Sequence, residues 1–190
     1  MKIAMMVDEG KIEIQDINDF SCENDDILIE TKYAGIFGSD IHSYKGNHPF
    51  RKPPVVLGHE VSGNVVKFGK DVSGFLIGDP VTVMPYTSCG VCMSCRNGKK
   101  NICLKKRVPG TGNWSGTFSE FFISKPHITF KLGSNTRLDI GVLAEPLAVA
   151  VHSVKQGRLK IGENIAVLGA GPIGLLTGLV ARIDGAAKIA

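Results

Sequence analysis

The chain has little net charge, no low-complexity segment and no internal repeat. A formal net charge of +4 over 190 residues is too small to indicate nucleic-acid binding, so no nucleic-acid partner is expected. Hydrophobic residues make up 43% of the chain and charged residues 21%, which is ordinary globular composition. The length is enough for one full domain and part of another.

The chain also lacks an unbroken apolar run long enough to cross a membrane. An uncharged stretch at residues 165–181 is interrupted by Gly169, Gly171 and Pro172, and it is short for a span. No membrane partner is therefore expected. Residues 1–4 show no secretory signal, which predicts a cytoplasmic protein whose cysteines are not paired in disulfides.

Four of the five cysteines follow the spacing C-x2-C-x2-C-x7-C. These residues are Cys89, Cys92, Cys95 and Cys103. Four thiolates brought together by tight turns make a closed tetrahedral zinc site, which predicts a structural zinc lobe over about residues 86–107. Two disulfides would need a secretory context, and an iron–sulfur cluster usually has a different order of spacings. We interpret the lysines and arginines that flank the cysteines as a solvated face.

The first 130 or so residues show the alternation of short β-strands, with glycines and prolines between them. A hairpin turn is expected at residues 8–10. The pattern predicts a partly closed antiparallel barrel or sandwich. The predicted strands cover residues 2–7, 11–17, 26–35, 55–68, 80–84, 117–123 and 128–132, with bends or bulges expected at Gly58 and Gly63.

The character of the sequence changes after residue 138. Residues 139–154 are rich in Ala, Val and Leu and predict a helix, with Asp139 as a possible N-cap and Pro146 kinking or dividing it. Residues 165–168 predict a short, buried parallel strand. An apolar helix is expected to follow and to end near residues 184–185.

The turn between that strand and that helix has the pattern G-x-G-x-x-G, formed by Gly169, Gly171 and Gly174. In this context the pattern predicts a dinucleotide site, with the pyrophosphate at the helix N-terminus and Pro172 in the first helical turn. The alternative is a glycine-rich turn without a ligand. The residue that selects NAD or NADP would lie beyond residue 190. We therefore expect a fragment that alone binds neither dinucleotide with useful affinity.

Together with these patterns, a third motif gives the chain a family resemblance. Its residues are Gly58, His59, Glu60, Gly63, Gly69 and Val72, in the pattern G-H-E-x2-G-x5-G-x2-V. The pair Gly78-Asp79 and the run at residues 116–121 also match the pattern of the same family. The chain thus resembles the zinc-dependent medium-chain dehydrogenase/reductase family, over essentially its whole length. The resemblance implies a mainly β GroES-like catalytic domain at residues 1–150 and an incomplete NAD(P)-binding Rossmann domain, one β-α unit, at residues 151–190.

The resemblance also implies an active site. His59 and Glu145 would be ligands of a catalytic zinc, and Glu60 would be an alternate ligand or a partner behind the ligands. Within the family, Glu145-Pro146-Leu147 is similar to the polyol, sugar and threonine dehydrogenase branch. A further set of residues lies at positions 39–42. Ser39 would take the substrate proton, His42 would pass it on, and Asp40 would orient His59.

One position departs from the family pattern, because Phe37 stands where the family has a zinc-binding cysteine. Phe cannot ligate zinc. The metal could still bind through His59, Glu60 and Glu145 in a more oxygen-rich site, the site could be metal-free, or the change could be accidental. We expect an empty or weak catalytic site in this chain.

Three functions remain open at this stage. The leading one is a zinc-dependent NAD(P) oxidoreductase acting on a secondary alcohol of a polyol, sugar or sugar acid, with this chain inactive as it stands. The second is a zinc-independent or degenerate reductase of the same superfamily, which Phe37 favours. The third is a non-enzymatic zinc-stabilised fragment. The resemblance implies a small-molecule substrate and an assembly that is usually a dimer or tetramer.

Overall fold

The structure, a computed structural model, describes residues 1–18 and 21–190. The chain forms two compact units, Met1–Val142 and Leu143–Ala190. No helix within the described ranges is long and apolar enough to cross a membrane. The predicted domain boundary after residue 150 stays a prediction.

Within the described residues, the first unit is built from short strands with three short α-helices and two 3₁₀-helices, Lys100–Ile102 and Pro126–Ile128. Its strands are β1 (Lys2–Asp8), β2 (Lys11–Asp16), β3 (Ile27–Gly35), β4 (Val55–Val56), β5 (Glu60–Phe68), β6 (Pro80–Val83), β7 (Phe121–Ser124) and β8 (Thr129–Lys131). Its helices are α1 (Gly38–Tyr44), α2 (Met93–Arg96) and α3 (Leu138–Gly141).

The strands of the first unit make two antiparallel sheets, in the orders β2-β1-β4 and β7-β3-β5-β6-β8. Alternate residues of β3 and β5 point into the core, as the period of two in their sequences predicts. Ile27, Ile29, Val61 and Val65 are all at most 1% exposed, and Phe122 from β7 packs with them. This agrees with the mainly β GroES-like class expected from the sequence.

The second unit is one β-α unit with the start of a second strand. It contains α4 (Ala144–Gly157), β9 (Asn164–Ile165), α5 (Pro172–Ile183) and β10 (Lys188–Ile189). β9 and β10 pair in parallel, and α4 packs against α5. The parallel pairing around a helix is the beginning of a Rossmann-type domain.

Several predicted strands are shorter in the structure. The buried strand expected at residues 165–168 is limited to Asn164–Ile165, and Leu168 is 97% exposed. The strand expected at residues 55–68 is interrupted because Gly58 has a φ of +89°, which is incompatible with an extended strand. The strand expected at residues 117–123 begins only at Phe121. The residues before Phe121 do not join a single strand ladder. Their backbone hydrogen bonds go alternately to Ala4 in β1 and to Leu57.

The helical predictions also need two corrections. Asp139 is not an N-cap: Arg137 holds that position, and the Asp139 carboxylate pairs with the Arg137 guanidinium. The predicted helix is divided, as expected, but the break precedes Pro146, which lies in the first turn of α4. There a proline is tolerated because its missing N–H has no partner inside the helix.

Candidate active site and metal centres

Asp40 is the centre of a buried polar cluster at the N-terminus of α1. Its side chain is 2% exposed. Oδ2 accepts the N–H of Phe37 at 3.0 Å, and Oδ1 accepts the N–H of Gly58 at 3.1 Å. The carboxylate therefore ties the start of α1 to the turn that carries His59. Oδ2 also lies 3.8 Å from Nδ1 of His59, so the structure brings this predicted pair together.

His59 directly follows the turn at Gly58 and is 9% exposed. Its Nδ1 atom has no hydrogen-bond partner among the described residues. Burial lowers the pKa of His59, and the charge of Arg51 lowers it further against the opposing effect of Asp40. The imidazole is thus favoured in its neutral form, which is the form that binds a metal.

The ring of Phe37 occupies the neighbourhood of that imidazole. The two ring centroids are 5.3 Å apart and the rings are inclined by 83°, an edge-on contact. Such a contact is a packing interaction and offers no lone pair. The residue that replaces the family's cysteine therefore contacts the predicted ligand His59 directly.

Glu60 is 6% exposed at the first position of β5. A Cβ at Gly35 would overlap the Glu60 carboxylate, so the glycine makes room for this side chain. Thr117 holds the segment from the other side: its N–H donates to the Gly58 carbonyl at 3.1 Å and its Oγ1 donates to the Glu60 carbonyl at 3.2 Å. The two sequence motifs around residues 58 and 117 are therefore parts of one structure.

Arg51 is a residue of this cluster that sequence reasoning missed. It is 7% exposed, although it lies between Phe50 and Lys52 in a segment that looks solvated. Nη1 donates to Ser39 Oγ at 3.2 Å and lies 3.9 Å from Oδ1 of Asp40, and Nη2 donates to the Pro109 carbonyl at 3.1 Å. Burial lowers the pKa of Arg51, while Asp40 opposes that shift. The guanidinium therefore compensates the Asp40 charge.

Ser39 and His42 lie one helical turn apart on α1. Ser39 is half-buried and accepts the hydrogen bond from Arg51, whereas His42 is exposed in the last turn. Since Arg51 can only donate, the hydroxyl hydrogen of Ser39 is left to point elsewhere. This arrangement is compatible with a hydroxyl that exchanges a proton with a ligand, and the roles of both residues remain predictions.

Glu145 belongs to the second unit, where it lies in the first turn of α4. It is partly buried, and burial raises its pKa. That it joins His59 and Glu60 around a metal stays a prediction. Within the first unit the donor set fits a divalent cation only in part, because Phe37 supplies no ligand. The catalytic zinc accordingly remains a proposal.

The four cysteines of the lobe are brought together as the spacing predicts. All four Sγ atoms lie within 4.8 Å of one another, with separations of 3.5 Å between Cys92 and Cys95 and 3.5 Å between Cys103 and Cys89. Zn–S bonds of about 2.3 Å in a tetrahedron require S···S distances of roughly 3.8 Å, so the site fits zinc.

Backbone amides support thiolates at this site. Cys103 Sγ accepts N–H groups of Cys89 and Lys105, both at 3.3 Å. Bonds from the backbone of Cys95 and Leu104 lower the pKa of Cys92 to about 6. Four protein ligands in a closed set leave no position for a substrate, so this centre is structural.

The dinucleotide fingerprint has the backbone geometry that its glycines are expected to provide. Gly169 has a φ of +108°, and a Cβ at Gly174 would overlap the Gly169 carbonyl oxygen. Gly171 is the N-cap of α5, Pro172 is its first residue, and nothing lies within 4 Å of where a Gly171 Cβ would be. Open space at Gly171 is what a pyrophosphate needs for close approach. Binding of a dinucleotide here stays a prediction.

Comparison with known proteins now identifies the family. Residues 23–134 match the alcohol dehydrogenase GroES-like domain, so the chain belongs to the zinc-type medium-chain dehydrogenases. Its similarities fall in the polyol and sugar-acid branch.

Three proteins illustrate that placement. The chain is 42% identical over 167 residues to “Probable D-xylulose reductase A” of Aspergillus clavatus, covering 86% of this chain and 47% of the relative. It is 39% identical over 163 residues to L-galactonate-5-dehydrogenase of Escherichia coli K12, again covering 86% of this chain and 47% of the relative. A Sinorhizobium meliloti protein described as a zinc-binding dehydrogenase, solved with NADP, superposes with a TM-score of 0.92 at 34% identity, covering 99% of this chain and 54% of that one. The chain thus spans about half the length of these relatives.

Proposed function

We propose that the chain carries the catalytic domain and the first nucleotide-binding unit of an NAD(P)-dependent, zinc-type dehydrogenase. Its substrate would be a secondary alcohol in a polyol, sugar or sugar acid. The observation that carries the proposal is the buried cluster of Ser39, Asp40 and His59, because it joins a neutral ligand histidine to a hydroxyl suited to proton exchange. The relatives that act on xylulose and galactonate support the substrate class.

We base the proposed roles on these contacts and on the family resemblance. Asp40 lies behind His59 and would orient it, and Arg51 lies beside the Asp40 carboxylate and donates to the Ser39 hydroxyl. Ser39 receives the proton of the substrate hydroxyl and His42, one turn away, passes it to solvent. His59 and Glu145 would hold a zinc ion, with Glu60 beside them. Bound zinc would supply a Lewis acid that lowers the pKa of the substrate hydroxyl.

The nucleotide unit would provide the hydride acceptor. Gly171 leaves space for the pyrophosphate, and the N-terminus of α5 offers amide donors. A complete site also needs strands that this chain does not supply. We therefore expect the 190-residue chain by itself to bind NAD or NADP with a Kd well above the micromolar range and to be inactive.

A second candidate function is a zinc-independent reductase of the same superfamily. The edge-on contact of Phe37 with His59 favours it, since an apolar ring fills the place of a sulfur ligand. The retained His59 and the four-cysteine lobe favour the zinc-dependent candidate instead.

A chimeric enzyme tests both candidates. Residues 1–142 of this chain would replace the corresponding domain of the Escherichia coli L-galactonate-5-dehydrogenase, and reduction of NAD and NADP would be followed with a panel of polyols and sugar acids. We expect measurable oxidation that Ser39→Ala lowers about 100-fold. A Phe37→Cys chimera should be faster under the zinc-dependent proposal and no faster under the zinc-independent one. A folded, zinc-loaded chimera without activity in either form would refute the proposed function.

A further inference from the structure

The positive charge of the chain is concentrated on the zinc lobe. Six of the 22 Lys and Arg residues lie within residues 86–107, which contain none of the 18 Asp and Glu residues. The rest of the chain therefore carries 16 basic and 18 acidic residues and is net negative. All six cations are exposed, and none of them forms a salt bridge among the described residues. They are Arg96, Lys99, Lys100, Lys105, Lys106 and Arg107.

Four large apolar side chains are exposed on the same lobe. Leu104 is 87% exposed, Met93 74%, Val91 65% and Ile102 56%. Each is next in sequence to Cys92 or Cys103, whose Sγ atoms are 3.9 Å apart. All four residues therefore lie beside the four-cysteine centre. Clusters of exposed apolar side chains usually mark a surface that another molecule covers.

We propose that the exposed surface of the zinc lobe, here called the basic lobe surface and carrying the six cations and four apolar side chains, binds the surface of an anionic lipid bilayer. Lysines and arginines are attracted to acidic headgroups, while apolar side chains between them enter the boundary of the acyl chains. This proposal goes beyond the expectation of no membrane partner, which considered only spanning segments. It also differs from the interpretation of the flanking cations as a merely solvated face.

The composition of the surface favours lipid over the other acidic partners. Four of the six cations are lysines, and lysine is depleted in protein–protein interfaces. Lysine also extends its charged end to headgroups while its stem covers apolar surface. Single-stranded nucleic acid needs aromatic rings for base stacking, and the Tyr86 ring is covered by Lys106, whose Nζ lies 5.8 Å from the ring centroid.

Vesicle co-sedimentation of the zinc-loaded chain tests the proposal. We expect binding to vesicles of 70% phosphatidylcholine and 30% phosphatidylglycerol, little binding to pure phosphatidylcholine, and release when salt is raised from about 0.1 to about 0.5 M. Lys105→Gln with Lys106→Gln should weaken binding about 25-fold, at about fivefold for each lysine. Met93→Ser with Leu104→Ser should weaken it about tenfold or more, since the apolar contribution is lost.

Matched variants outside the lobe provide the controls. Lys45→Gln with Lys70→Gln removes two exposed cations, and Leu76→Ser with Ile77→Ser removes two apolar side chains that are 69% and 63% exposed. Both pairs should leave vesicle binding within about twofold of the unchanged chain. Unchanged zinc content in every variant shows that the lobe remains folded.

Three outcomes would overturn the proposal. The first is equal binding to neutral and anionic vesicles, or no binding to either. The second is binding to poly-L-glutamate that is as tight as binding to the anionic vesicles and is insensitive to the Met93 and Leu104 changes, because the surface would then be only a charged face. The third is self-association in sedimentation velocity that the same changes abolish, since a second copy of the chain would then cover the surface.

Discussion

Arg51→Met is the substitution that most directly tests the buried cluster. The guanidinium and the Asp40 carboxylate are 8% and 2% exposed at the side chain, and Nη1 lies 3.9 Å from Oδ1. At an effective dielectric constant of about 20, a pair at this distance attracts by about 4 kcal/mol. Loss of the guanidinium also leaves the Pro109 carbonyl without its donor, whereas Asp40 keeps two backbone N–H partners.

These contributions predict that Arg51→Met lowers the free energy of unfolding by about 3–5 kcal/mol, as is typical when one partner of a buried ion pair is removed. Urea unfolding followed by tryptophan fluorescence measures this free energy of unfolding. The chain has one tryptophan, Trp114, whose ring stacks on Phe122 in the core with 5.9 Å between centroids. The signal therefore reports on the first unit.

A double-mutant cycle separates charge compensation from simple packing. Asp40→Asn removes the charge that Arg51 compensates, so the double variant should be more stable than the sum of the single effects by about 2 kcal/mol. Lys70→Met, at an exposed cation without an ion pair among the described residues, should change stability by less than about 0.5 kcal/mol. The reasoning fails if Arg51→Met behaves like Lys70→Met, or if the two single effects are additive.

Four further predictions concern other parts of the chain. Phe37→Cys should raise zinc content, measured by inductively coupled plasma mass spectrometry, from about one to about two ions per chain, and unchanged content would refute the partial catalytic site. Gly58→Ala should destabilise the chain by about 2–4 kcal/mol in urea, because φ is +89° and a Cβ would overlap the ring of Phe118; a loss below about 0.5 kcal/mol would contradict this. Cys103→Ser should abolish the tightly held structural zinc in a chelator-competition assay, and retained zinc would speak against the four-ligand site. A hydrogen bond from Lys131 lowers the pKa of Asp79, so the stabilising effect of this pair is present above about pH 4 and is lost as the pH falls further. Asp79→Asn should therefore flatten the fall in the urea midpoint between about pH 6 and about pH 3. An equally steep fall in the variant would exclude a contribution from this pair.

The parts of the fold that the sequence predicted are those that depend on local pattern. Strands such as β1 and β3 alternate apolar and polar residues, and α5 follows a glycine fingerprint and a proline, so their type and position were predicted within about a residue. A bend at Gly58 was expected from the glycine itself, but the full break in the strand and the late start of β7 could not be predicted in the same way. They depend on backbone bonds between Thr117 and Gly58, which are distant in sequence.

The candidate site likewise contains residues that local sequence patterns predicted and residues that they did not. The four cysteines lie close in sequence, so their spacing alone predicts their meeting in space. The proximity of Asp40 and His59 was predicted only through the family resemblance, and their roles stay predictions. Arg51 carried no local signal: its burial results from the loop at Pro109, which closes over it from elsewhere in the chain.

Phe37 shows why the packing around a site and its chemistry need separate tests. Its backbone N–H donates to Asp40 at the start of α1, and its ring makes an edge-on contact with His59, so these contacts of the cluster do not need a cysteine at position 37. A cluster can thus keep its geometry while its metal affinity falls, because the backbone bonds of Asp40 do not depend on which side chain stands at position 37. For this reason stability of the Phe37→Cys variant would say little about function. Its zinc content, compared with that of the unchanged chain, distinguishes a site that lacks one ligand from a site that no longer binds metal.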